Sequence, residues 1–329
     1  MDPFLIIGNL TLDDTVPLEG PVVRKAPGGN ALYAAAGTRP WRRNLCIVSR
    51  VGTDYPSGHL DQLRQAGVDV SGIVRKDVQD FKLWILYEQG GGRQIIRQLS
   101  SGSADKLDPL PQDVPKEVNR VRFALLAAMQ PTSQKQWLKN LKARGVVVCM
   151  DMASHVVLAH PEEYRDKGWW TDVDILLPSI EEVCTLWGDR RLSEILTEIV
   201  KKGCRVAGIK LGSLGSIAYD KTLDDKAVYV PAFPLDPVDP TGAGDAYCAG
   251  FMAGYAETED IAEGALWGTI SASFVMEDFG GLHALQVDRT RAQVRSDRHR
   301  NRVEWIELTH LDEVLAQKSE QKEKDNDFR

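Results

Sequence analysis

Several common signatures are missing from this chain. Only five of its 329 residues are cysteine (Cys46, Cys149, Cys184, Cys204, Cys248), and no two stand as Cys-x-x-Cys. An odd, scattered set excludes a disulfide framework or a thiolate zinc site and fits small buried thiols in a reducing compartment. The six histidines form no His-x-x-x-His or His-Glu pair, so the pattern offers no transition-metal site. No apolar run reaches the roughly 18 residues that suggest a membrane span. The N-terminal MDPFLIIGNL lacks the basic segment of a signal peptide. The expectation is a cytoplasmic protein that engages no membrane. Basic excess is absent too: the formal net charge is −7, which argues against nucleic acid as a partner. The one basic cluster, RSDRHRNR at 295–302, reads as a solvated surface segment. Three nucleotide or nucleophile motifs are also missing. No Gly-x-x-x-x-Gly-Lys-Ser/Thr excludes a P-loop. No Gly-x-Gly-x-x-Gly after the first strand weakens a dinucleotide reading. No Gly-x-Ser-x-Gly argues against an esterase elbow.

What is present is a large apolar fraction, 43%, enough for one big α/β domain or two smaller ones. Short apolar runs at 4–10, 45–52, 121–129, 146–151, 173–179 and 206–212 predict buried strands. Between them lie helical stretches at 31–39, 57–67, 133–145, 180–188 and 192–203. Fully apolar strands alternating with helices imply an α/β fold, a doubly wound, mostly parallel sheet covered on both faces. Segments 12–25 and 73–99 are β-like but half polar, and the second reads as a hairpin around Gly90–Gly92. They are candidates for a small β lid, or for an ordinary extension of the sheet. The expected organisation is one domain over 1–316 followed by a charged, disordered tail at 317–329.

The most informative stretch is DPTGAGD at 239–245, followed by the small-residue run AYCAGFMAGYAE. That run reads as a helix lying close against its neighbours, so the heptapeptide is the loop leading into a helix N-terminus. Free amides and the positive end of the helix dipole make such a place an anion site. Gly242 and Gly244 let consecutive amides converge. A carboxylate beside that point, Asp245, would repel an anion if binding were the whole task. Its placement makes sense if it accepts a proton from a hydroxyl that attacks phosphorus. The alternative is a simple helix cap.

These residues resemble a known family. DPTGAGDAYCAGF is similar to the second signature of the ribokinase-like, PfkB-type carbohydrate kinases. GNLTLDD (8–14), PGGNALYAAAG (27–37) and VGTDYPSGHLDQLRQAGVDV (51–70) follow in that family's order and spacing. LPSIEEVCTLWG (177–188) and IKLGSLGSIAYD (209–220) resemble its metal and nucleotide regions, and the likeness spans about 4–285. The resemblance implies an ATP- and Mg²⁺-dependent kinase acting on a small sugar or polyol, on a parallel sheet with a small β lid. It implies Asp245 as base and the amides of Gly242, Ala243 and Gly244 as an anion hole. Asp13, Gly28, Gly29 and Asn30 would hold the acceptor. Lys210, Gly212, Gly215 and Thr241 would lie along ATP, and Glu182 would reach Mg²⁺ through water. It leaves a need for K⁺ and a lid-to-lid homodimer open.

Each role has a plainer alternative. Asp13 could be a turn residue, Gly28 and Gly29 a tight turn, and Gly212 and Gly215 hairpin glycines. Ser179 and Glu182 satisfy a capping box. Thr269 and Ser273 either edge an adenine pocket or only pack. The sequence also departs from the family pattern. Ser179 stands in place of the usual asparagine of Asn-x-x-Glu, Pro240 replaces a small residue, and Asn30 follows the glycine pair at once, which leaves Tyr33 as another acceptor contact. A nucleoside kinase and a non-catalytic nucleotide-binding regulator remain alternatives. A helix N-terminus lowers a carboxyl pKa, so Asp245 is expected to be ionised at neutral pH.

Overall fold

A computed structural model describes residues 3–89, 93–116, 118, 120–165 and 170–327. In chain order the strands are β1 (Phe4–Ile7), β2 (Thr11–Val16), β3 (Val23–Gly28), β4 (Leu45–Val51), β5 (Asp69–Arg75), β6 (Lys82–Tyr87) and β7 (Arg93–Arg97). They continue with β8 (Phe123–Leu126), β9 (Val147–Met150), β10 (Ile175–Leu176), β11 (Val206–Lys210), β12 (Ser216–Asp220), β13 (Lys226–Val230) and β14 (Glu304–Glu307). Ten form one sheet in the order β14-β13-β12-β11-β10-β9-β8-β1-β4-β5. From β5 to β11 every pairing is parallel, and β12, β13 and β14 extend that edge antiparallel.

The apolar runs explain the layering. Side chains alternate across a strand. In β1, Phe4 and Ile6 enter one core while Leu5 and Ile7 enter the other. Both faces therefore need a cover. On the first lie helices Asn30–Thr38, Ala243–Thr258 and Ile261–Val275, and on the second Pro131–Ala143, Ile180–Trp187 and Leu192–Lys201. The small residues of 246–254 have a packing reason. A Cβ on Gly250 would strike Ser271 and the Trp267 carbonyl, and one on Gly37 would strike the backbone of Ala246. The helices approach to backbone distance.

The expected lid is a separate four-stranded sheet, β3-β2-β6-β7. Its boundaries differ from the sequence reading in one respect. Residues 73–75 belong to β5, which pairs with β4 at the edge of the main sheet. An edge strand exposed on one face shows the same polar alternation as a lid strand, so periodicity could not separate them. β6 and β7 pair antiparallel as the hairpin requires; its turn at 90–92 lies outside the described residues. The tail also differs. Residues Leu311–Asp327 form one helix, where disorder was expected from 317. Leu311 and Leu315, one turn apart, are buried, and Lys318 bonds Glu304 at 2.8 Å with its ammonium over the Tyr229 ring. The buried leucines precede the charged run, whose composition alone suggested disorder. Among the described residues no helix is long and apolar enough to cross a membrane.

Candidate active site

The heptapeptide folds as its residue types require. Gly242 caps helix Ala243–Thr258 in the left-handed conformation, φ 77°, which a Cβ would oppose. That Cβ would also collide with the Tyr33 ring, which packs on the turn. Asp239 braces the loop. Its Oδ1 accepts the Thr241 amide (2.8 Å) and the Tyr87 hydroxyl, and its Oδ2 accepts the Gly280 amide (3.4 Å). The Ala243 amide closes a turn onto the Pro240 carbonyl at 3.3 Å. The amides of Gly242 and Gly244 make no backbone bond among the described residues, so two of the three expected cradle donors stand free. Asp245, in the first turn of the same helix, is half-buried. It is neither capping nor locked in a pair: among the described residues its carboxylate has no hydrogen-bond or ion-pair partner.

Its protonation corrects the expectation. Burial, with the charge of Asp151 adding to it, pushes the Asp245 carboxyl up to about 7, while Lys210 and Arg93 pull the other way. Desolvation of this half-buried carboxyl disfavours its charged form. Asp245 is therefore poised to titrate near neutrality.

A second carboxylate faces the same space. Asp13 lies within lid strand β2, not at the end of β1 as the sequence suggested, because the chain leaves the main sheet at Gly8 and Asn9. It is 4% exposed, its Oδ1 has no partner, and burial, with Asp14 and Asp239 nearby, raises its carboxyl to about 7. Gly28 is glycine because a Cβ would collide with Asp13 Oδ2. Gly29, at φ 96°, sits against the backbone of Asn9 and Leu10. Both glycines make room for other groups. The Asn30 amide is engaged structurally: its Oδ1 accepts Asn9 N (2.7 Å) and its Nδ2 donates to the Ala128 carbonyl (2.6 Å), tying together the segments that follow β1 and β8.

On the other side of the helix terminus lies a cluster of satisfied charges. Lys210 Nζ donates to Asp151 Oδ1 at 2.6 Å and lies close to Gly244. Burial works against the Lys210 ammonium, but Asp151, Cys248 and Glu182 hold its pKa well above the usual value. Glu182 is 1% exposed. Its carboxylate accepts the Ser179 amide (2.7 Å) and the Ser154 hydroxyl, completing the capping box with Ser179. Burial and Asp151 raise its carboxyl. Among the described residues no three acidic, histidine or cysteine side chains could together hold a metal. Mg²⁺ binds through one or two carboxylates plus phosphates and water. Asp151 and Glu182 fit that limited role.

Of the remaining candidates, Gly212 and Gly215 lie in the connection between β11 and β12, which pair through Lys210 and Ser216. Gly215 is constrained by the Val230 carbonyl, while space beside Gly212 is open. Thr241, expected beside the nucleotide, has its hydroxyl 3.2 Å from Tyr87 Oη on the lid side. Thr269 is buried, and Ser273 bonds the Ile270 carbonyl (2.7 Å) and Arg295 (2.9 Å), so both pack. Sequence reasoning missed Asp151, Asp239 and Tyr87. Asp151 had a readable signal, a carboxylate directly after an apolar strand, where ligands collect in such sheets.

The chain is similar to several known proteins. A profile of the pfkB family carbohydrate kinases matches residues 7–287. A cytidine kinase of Thermococcus kodakarensis is 26% identical over 284 residues, covering 84% of this chain and 96% of its own. A 5-dehydro-2-deoxygluconokinase of Clostridium perfringens is 24% identical over 76% of this chain and 78% of its own. Among solved structures, a nucleoside kinase of Methanocaldococcus jannaschii superimposes with a TM-score of 0.68 at 19% identity, over 91% of this chain and 99% of that one. An E. coli protein in complex with ATP and Mg²⁺, provisionally assigned as a ribokinase II, reaches 0.73 at 19% identity with the same coverage.

Proposed function

Because this chain belongs to the pfkB family of carbohydrate kinases, phosphotransferases with an alcohol acceptor, we propose that it transfers the γ-phosphoryl group of ATP to a hydroxyl of a small neutral sugar or nucleoside. The observation that carries this reading is the unpartnered Asp245 carboxylate beside the free amides of Gly242 and Gly244.

The residues act in a definite order. Asp13, with its orphaned buried oxygen, accepts hydrogen bonds from acceptor hydroxyls and orients them. Asp245 takes the proton of the attacking hydroxyl. The acceptor oxygen forms a bond to the γ-phosphorus as the bond to the bridging oxygen breaks, and that electron pair leaves with ADP. The glycine amides and Lys210 stabilise charge on the phosphoryl oxygens. Asp151 and Glu182 would hold Mg²⁺ through water, and the ion when bound neutralises phosphate charge.

Charge narrows the acceptor. Asp13, Asp239 and Asp245 crowd around Tyr33, whose own pKa burial and these carboxylates raise well above its usual value. A sugar acid would meet repulsion there, and a neutral polyol would not. A nucleoside is the second reading. Phe279, 44% exposed and edge-on to Tyr87 at 5.7 Å, offers an aromatic face to a base at the rim. A regulator that only bound nucleotide would gain nothing from Asp245. The test is ATP turnover against hexoses, pentoses, polyols, nucleosides and sugar acids. Turnover with a neutral acceptor is expected. No turnover with any, or a preference for acids, would refute the proposal.

A further inference from the structure

The lid carries a cation that has no hydrogen-bond or ion-pair partner among the described residues. Arg93 opens β7 and stands directly opposite Tyr87 of β6. Directly opposed residues share a face of the sheet. Tyr87 reaches from that face to Asp239 and Thr241 at the glycine turn, so Arg93 points toward the same end of the site. Its Nε is buried without a hydrogen bond, and among the described residues its guanidinium makes no ion pair. A buried donor such as this Nε–H is costly to leave unmade unless something else completes it. The surroundings say what that is. Arg93 acts electrostatically on Asp245 and on Tyr87, whereas the charges acting on Asp13 are Asp14 and Asp239. The guanidinium therefore belongs to the phosphate end and not to the acceptor hydroxyls.

We propose that Arg93 is a catalytic residue supplied by the lid: its guanidinium binds the oxygens of the γ-phosphoryl group in transit and completes the cradle begun by the amides of Gly242 and Gly244. This rests on the kinase reading. An arginine suits the role because its planar fork matches phosphate oxygens and it is always charged. It also makes the lid part of the chemistry, since phosphoryl transfer is stabilised fully only when β7 is seated.

Arg93→Ala and Arg93→Lys test this, with thermal unfolding to show that both keep the fold. Mg·ADP affinity is measured by calorimetry with and without aluminium fluoride, which mimics the phosphoryl in transit. Arg93→Ala should lose at least about tenfold of the gain that aluminium fluoride gives, and leave Mg·ADP affinity within about twofold. With whichever sugar or nucleoside the wild-type protein phosphorylates, kcat should fall about a hundredfold while acceptor KM moves less than about threefold. Arg93→Lys should recover part of the loss. An unchanged aluminium fluoride gain overturns the assignment. So does a rise in acceptor KM with kcat retained, which would make Arg93 an acceptor-holding residue. If the wild-type protein phosphorylates nothing, the kinase reading fails, and the aluminium fluoride comparison still decides the role of Arg93.

Discussion

The two carboxylate groups flanking the N-terminus of helix Ala243–Thr258 are built on opposite principles. Asp151 and Glu182 are buried and already engaged: Lys210 bonds the first, and Ser154 and Ser179 bond the second. Asp13 is buried with Oδ1 unbonded, and half-buried Asp245 has no hydrogen-bond or ion-pair partner among the described residues; each carboxyl is pushed up to about 7. The first group holds itself in place before any ligand arrives. The second is held in place by backbone and glycine packing, and its missing hydrogen bonds are those a substrate would provide. Charges paired within the protein are positioned in advance, whereas buried unpaired ones carry a cost that a functional site can justify.

Breaking the satisfied side should have the largest effect. Lys210→Met leaves Asp151 buried without its cation, and denaturant unfolding should show a loss of about 3–5 kcal/mol. A loss below about 1 kcal/mol would mean that the pair is not structural. On the open side, Asp245→Asn should cut kcat by roughly a hundredfold or more with ATP affinity nearly unchanged. An unaltered kcat would remove Asp245 from the mechanism.

The open side also predicts a stability that depends on pH. A native carboxyl near 7 exceeds its unfolded value of 3.8, so the folded state holds the proton between those values. Its contribution is then complete at low pH and is lost as pH rises to about 7. Asp13→Asn should accordingly raise Tm more at pH 8 than at pH 5, while raising acceptor KM about tenfold or more. A Tm gain that does not depend on pH would contradict the raised pKa. In the wild-type protein kcat/KM should climb with pH through about 7 as Asp245 ionises; a profile flat from pH 6 to 8 would exclude it as the titrating base. The smallest effect belongs to the lid. Tyr87→Phe removes the bond to Asp239, worth about 1 kcal/mol, and hydrogen exchange in β6 and β7 should quicken about fivefold. No change there would show that Tyr87 does not fasten the lid.

Apolar runs made the parallel sheet legible, because strands covered on both faces need unbroken hydrophobic sequence. The glycine turn was legible for a similar reason: φ near +77° and contact with a ring leave little choice of residue at 242. The pairing of Asp151 with Lys210 and of Tyr87 with Asp239 was not, since a lone carboxylate or tyrosine carries no spacing that marks its partner 59 or 152 positions away. The role of Asn30 as a brace was hidden likewise.

The chain's residue order settles which strands are buried, where the backbone must turn tightly and which acid follows the turn, because these depend on neighbours a few positions apart. It does not settle the charge state of that acid. Burial and the fields of Asp151, Lys210 and Arg93 govern it, and those groups meet Asp245 only after distant segments have packed.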